Sequence, residues 1–192
     1  MNNELRAVIE AVPTNSEAGR HQAVIYLDEK NNLVDRPSAL QSLFSSLRAF
    51  LVSNSDSGAR AARRDLLVGV YLHGRSHGVT IHYTVECPPK KEAQVAQALG
   101  SDANPQSQLE DLLATWVRAY LRDHEDEALN EPSSMGLQLE RHLAARTAAA
   151  TGLALNARVN FEAPSWLRAW TLDPVHIPVQ ASDADLEVNL RI

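Results

Sequence analysis

The segment Gly74-Arg75-Ser76-His77-Gly78 has the spacing G-x-S-x-G, which in serine hydrolases carries the nucleophile. That chemistry needs the serine on a sharp strand-to-helix turn, with its oxygen exposed beside a base and the oxyanion donors. An apolar run, residues 66–72, does precede it. On its other side, Val79-Thr80-Ile81-His82-Tyr83-Thr84-Val85 alternates as a strand does and not as a helix. Gly74 and Gly78 therefore read as parts of a hairpin connection. A serine hydrolase using Ser76 stands as the alternative reading.

The other reactive residue types form no complete constellation. His73, His77 and His82 lie close in sequence, but zinc needs three or four ligands converging tetrahedrally. His73 and His77 are not on a helix that would bring them to one face, and His82 shares the polar side of its strand with Thr80 and Thr84. Exposed hairpin histidines are expected. His21, His124, His142 and His176 are scattered. Asp123, Glu125, Asp126 and Glu127 lack the spaced ligands and central glycine of a calcium loop. They read as a solvated helix end. Acids are unfavourable at a helix C-terminus, so the helix is expected to end before them or bend there. Arg60, Arg63 and Arg64 are the densest basic patch, of the kind that touches phosphate or lipid headgroups, and are expected to face solvent. Cys87 sits beside Pro88 with no neighbouring cation to lower its pKa, as a packed, unreactive thiol. No phosphate-cradling glycine loop occurs. No catalytic, cofactor-binding or metal residue is assigned, and no cofactor is expected.

Patterning supplies the elements around these residues. Residues 5–12 fit either a helical stripe or a strand face, ended by Pro13. Residues 23–27 read as a strand and residues 28–32 as a polar turn. Ser38 and Gln41 form a capping box ahead of a stripe of Leu40, Leu43, Phe44, Leu47 and Leu51, predicting a helix over residues 38–51. Residues 53–64 read as an exposed loop. Strands are expected over residues 66–72 and 79–85, the second ended by Pro88 and Pro89. A helix is expected over residues 91–99, stopped by Gly100. The stripe Leu109, Leu112, Leu113, Trp116, Val117, Tyr120 and Leu121 predicts a second helix. A third runs from about Met135 to Thr151, closed by Gly152 in the left-handed conformation. Residues 153–161 alternate as a strand. A short helix or turn is expected at residues 166–170. An edge strand is expected at residues 175–179, and another over residues 186–192, which stops at the last residue.

At 192 residues the chain suits one domain, or one plus part of another. A chain of that size buries roughly 70% of its unfolded surface, so its core requires no disulfide or metal. A net charge of −6 argues against general nucleic-acid binding and against purely electrostatic attachment to anionic lipid. One cysteine cannot form an internal disulfide, which points to a reducing compartment. No stretch approaches the ~20 apolar residues of a membrane span.

The order of elements over residues 78–161 resembles the stomatin–prohibitin–flotillin (SPFH, or band-seven) domain. The resemblance rests on the strand "GVTIHYTVECP", the helices "LEDLLATWVRAYL" and "LQLERHLAARTAAATGL", and the strand "LALNARVNF". The Gly152-Leu153 break between the last helix and the last strand is its most telling part. Residues 177–192, "IPVQASDADLEVNLRI", resemble the opening strand of a second such domain, cut off here. The resemblance implies an α+β fold, SPFH-like, with a small, mostly antiparallel sheet packed against two or three helices. It divides the chain into an N-terminal elaboration with a strand and a helix (residues 1–64), an SPFH-like domain (65–163), and a linker with the start of a possible second repeat (164–192). It also implies a non-catalytic scaffold or oligomerisation module, related to the shoulder of vault-type particles. Such a module works through self-association or protein partners, with no nucleic acid. It is cytoplasmic, with any membrane association indirect and peripheral. Beside it stand two alternatives: the serine hydrolase, and a monomeric ligand-binding module.

Overall fold

Alternating burial along β6 (Arg75–Glu86) sets the architecture. Val79, Ile81, Tyr83 and Val85 are buried, while Thr80, His82 and Thr84 point the other way. A sheet patterned like this covers one face and leaves the other to solvent. β6 is central in an antiparallel sheet of order β5-β6-β7, with β5 (Arg64–Leu72) and β7 (Ala154–Glu162) at its edges. The computed structural model describes residues 8–38, 46–58, 63–101 and 104–162.

A second antiparallel sheet has the order β1-β4-β2-β3, built from β1 (Ile9–Val12), β2 (Gln22–Leu27), β3 (Leu33–Val34) and β4 (Arg48–Ser53). Four α-helices are described: α1 (Glu92–Leu99), α2 (Pro105–Asp123), α3 (Glu125–Asn130) and α4 (Pro132–Thr151). The fold is α+β. Helix α2 packs on β5 and α4 on β7, both on the apolar face of the three-stranded sheet. Helix α1 bridges the layers, touching β2 and β4 on one side and α2 and α4 on the other. Leu27 and Phe50 from the four-stranded sheet therefore share one buried cluster with Leu99, Leu113, Leu143 and Ile81.

Most element boundaries follow local chemistry. Asn104 caps α2 by accepting from the Ser107 amide, with Pro105 in the first turn. Gly152 closes α4 at φ 80°, in the left-handed region that glycine enters without strain. Three expectations are corrected. Residues 48–53 are a strand, not the end of a helix; residues 39–45 lie outside the described residues. In the expected loop, Ser53 ends β4, a short 3₁₀ turn spans Ser55–Ser57, and Arg64 opens β5. The hairpin connection is also tighter than the sequence implies. His73 and Gly74 alone form it, at φ 45° and 76°, and Leu72 pairs with Arg75. Positive φ at both central residues is the geometry of a type I′ turn, whose twist matches the flanking strands. The ambiguous first segment resolves into β1 from Ile9 onward. The elements expected beyond residue 163 lie outside the described residues.

Candidate functional site

The hairpin separates the residues of the G-x-S-x-G segment. Ser76 lies on β6, exposed, and pairs with Tyr71. His77 points to the opposite face, and its Nε2 is buried without a hydrogen-bond partner. The strand-to-helix turn that gives this motif its nucleophile is thus replaced by strand. The neighbouring histidines also separate. The His73 amide donates to the Glu125 carboxylate, and its Nε2 lies 2.9 Å from Asp126 Oδ1. His82 Nδ1 meets Asp65 on the outer face. Among the described residues, no group of three or more His, Cys, Asp or Glu is placed to hold a metal.

The acidic segment has a definite structural place. Helix α2 ends at Asp123, and Glu125, Asp126 and Glu127 become the first turn of α3. Carboxylates that would oppose the dipole at a C-terminus are favourable at an N-terminus. Cys87 is fully buried, and burial, then the charge of Glu92, pushes its pKa up to about 12. It stays a thiol at neutral pH.

Beneath the sheet, one carboxylate organises a polar network. Glu110 Oε1 accepts from the Tyr83 hydroxyl at 3.0 Å and from Gln106 Nε2 at 2.8 Å. Arg64 Nη2 donates to Gln106 at 3.0 Å. Burial, then the charge of Glu110, holds the Tyr83 hydroxyl above its ordinary pKa. On the far side of the helices, Tyr120 lies between two imidazoles, with ring centroids 4.3 Å from His124 and 4.5 Å from His142. Burial, then Arg146 and His124, lowers the pKa of His142.

Among the described residues, no element covers the outer face of the three-stranded sheet. In its upper half β5 exposes two apolar side chains, Leu67 at 64% and Tyr71 at 73%, beside the polar Thr80, Ser76 and Asn160 of the neighbouring strands. Between Leu67 and Tyr71, Gly69 pairs with Gly78, and nothing lies within 4 Å of the position a Gly69 Cβ would take. The lower half is polar. Asp65, His82 and Arg158 form one row across the strands. Thr84 and Asn156 pair in the next row, beside Arg63. A notch of about 170 Å³ is lined by Arg63, His82, Tyr83, Thr84, Asn156 and Arg158. The sequence singles out Arg63, but not Arg158, Thr84 or Asn156. Alternation puts these three on a polar face, yet only the register of β6 with β7 brings them together.

On each edge of this sheet a side chain occupies one backbone group. The Val159 amide of β7 donates to Glu140 at 2.9 Å, and the Gly69 carbonyl of β5 accepts from Arg118 Nε at 3.2 Å. Such contacts occupy backbone groups that would otherwise pair with a foreign strand. Among the described residues, no helix is long and apolar enough to cross a membrane. No protein-family model matches the chain, and no curated protein does either.

Proposed function

We propose that the chain is a non-catalytic assembly module of SPFH type, acting in the cytoplasm by self-association or by organising protein partners. The observation that carries this reading is the return of the chain. After β6 it runs through helices, breaks at Gly152, and comes back as β7 beside β6 in full antiparallel register from Glu86↔Ala154 to Gly78↔Glu162. That order is the one on which the family resemblance rests. Leu67 and Tyr71, exposed on the outer face among the described residues, offer such a module apolar side chains for a partner.

Light scattering across a concentration series tests the reading. Masses above the monomer, growing with concentration and reduced by Leu67→Lys with Tyr71→Lys, are expected. A strict monomer at every concentration overturns self-association and favours a ligand-binding module. Labelling by an active-site serine probe, lost in Ser76→Ala, would overturn the non-catalytic reading.

A further inference from the structure

We propose that Arg63, His82, Thr84, Asn156 and Arg158 form a binding site for a phosphate group on the outer face of the β5-β6-β7 sheet. The first ground is that the two guanidiniums are uncommitted. Neither Arg63 nor Arg158 makes a hydrogen bond or ion pair with any other described residue, and both are exposed at one notch. Surface arginines near carboxylates normally find them. Here the nearest acid in the pairing register, Asp65, is held by His82 Nδ1 instead.

The second ground is convergence. Arg63 precedes the Arg64↔Tyr83 pair on one edge strand, and Arg158 pairs with His82 from the other. Two strand spacings and an offset of two residues along the strands separate their backbones, about 12 Å, which the two long side chains can close on one group. The central strand between them presents His82 and Thr84, and Asn156 completes the row of Thr84. The lining thus combines two rigid guanidinium forks with a hydroxyl, an amide and an imidazole. Every one of these offers an N–H or O–H donor, and guanidinium forks match the oxygen spacing of a phosphate. A phosphomonoester carries about −1.5 to −2 charge at neutral pH, which two arginines balance. Glu86, on the same face one row beyond Thr84, bounds the positive area on that side.

The whole chain carries a net charge of −6, so long-range attraction does not draw anions to it. Binding at this notch is therefore local and depends on these side chains. The proposal is independent of the assembly reading, since a monomer presents the same notch.

Inorganic phosphate titrated into the full chain, at ionic strength held constant with chloride, tests it by amide chemical shifts. Saturable shifts at Thr84, Asn156 and Arg158 are expected. Arg63→Gln and Arg158→Gln should each weaken binding roughly tenfold, the size expected for losing a hydrogen bond to a charged group. Neither arginine supports the fold, so circular dichroism should be unchanged in both variants. Flotation with phosphatidylcholine vesicles, with and without phosphatidic acid, distinguishes the source of the group. Binding of free phosphate identifies a soluble phosphate ligand. Flotation only with phosphatidic acid, lost in the double variant, identifies a lipid headgroup at the same site. If neither probe binds, or if binding survives in the double variant, the site does not exist.

Discussion

Glu110 shows how a single side chain can hold a partly buried polar network together. Its Oε1 satisfies both the Tyr83 hydroxyl and Gln106. Removing it strands a hydroxyl whose residue is only 3% exposed. Leaving a buried donor unpaired costs about 1–3 kcal/mol, so Glu110→Ala should lower stability by that amount in urea denaturation. Adding Tyr83→Phe removes the stranded donor. The double variant should therefore be more stable than the sum of the single losses predicts. Simple additivity would show that the bond is not the cause. His142 supplies a second, pH-dependent effect. Its pKa in the folded protein is lowered, first by burial and then by Arg146 and His124, so folding favours the neutral ring. The stability held by the neutral ring is fully present above the unfolded value of 6.5. It falls as pH drops through the folded pKa, because the unfolded chain takes up the proton first. Other charged groups respond to acid too, so the comparison must be with a variant. Between pH 7 and pH 5 the melting temperature of the wild type should fall further than that of His142→Gln. Equal falls would remove His142 as the titrating group.

At the scale of elements, α1 is fixed by how closely its end approaches the four-stranded sheet. Gly100 has φ −89°, so its backbone asks for no special residue. Space does. A Cβ there would lie 2.4 Å from the Ala96 carbonyl oxygen, 2.7 Å from Leu27 Cδ1 and 2.9 Å from Phe50 Cε2. Gly100→Ala must push the helix end off the sheet, and overpacking of this kind costs about 1–3 kcal/mol. Thermal denaturation should show the loss; a neutral Ala would mean that α1 sits less tightly than its contacts indicate. The sequence revealed that Gly100 stops the helix, but not that it also makes room for Leu27 and Phe50. The same limit explains why residues 48–51, expected as the end of a helix, form a strand. Leu47 and Leu51 continue a helical stripe, yet β4 is flanked by β1 and β2 and holds apolar residues on both faces. A strand with apolar residues on both faces loses its alternation, and periodicity then cannot separate it from a helix. Where one face is wet, as in β6, or one stripe is buried, as in α2, the pattern was legible. The tight turn was missed because histidine at positive φ is unusual, and its support comes from Glu125 and Asp126, far along the chain. The notch at Arg63 and Arg158 was illegible for the same reason: strand register, not local spacing, makes it.

Over the whole molecule, the question is whether the two sheets fold as one unit. The buried cluster runs from Ile9 and Phe50 through Leu99 to Ile81 without interruption. Arg48 reinforces the junction. From β4 it donates through Nη1 to the carbonyls of Gly100 and Ser101 at the end of α1. Through Nη2 it donates to the Asp28 carbonyl and the Asn31 side chain in the turn between β2 and β3. A cation is also well placed at the carbonyl end of a helix. Three separate stretches of chain thus meet on one guanidinium. Arg48→Met keeps much of the apolar stem and removes every one of these bonds. Hydrogen bonds to a charged group contribute about 1.5–3 kcal/mol each in buried settings, and this one is only partly buried, so a loss of about 2 kcal/mol overall is expected. Native-state hydrogen exchange locates that loss. If the sheets form one cooperative unit, the amides of Phe50 in β4 and Ile81 in β6 exchange through the same global opening, and Arg48→Met lowers both protection free energies equally. If the four-stranded sheet opens on its own, the variant lowers protection at Phe50 and leaves Ile81 unchanged. That second result would make the four-stranded sheet a separable attachment to the three-stranded sheet and its helices, with Arg48 as its clasp.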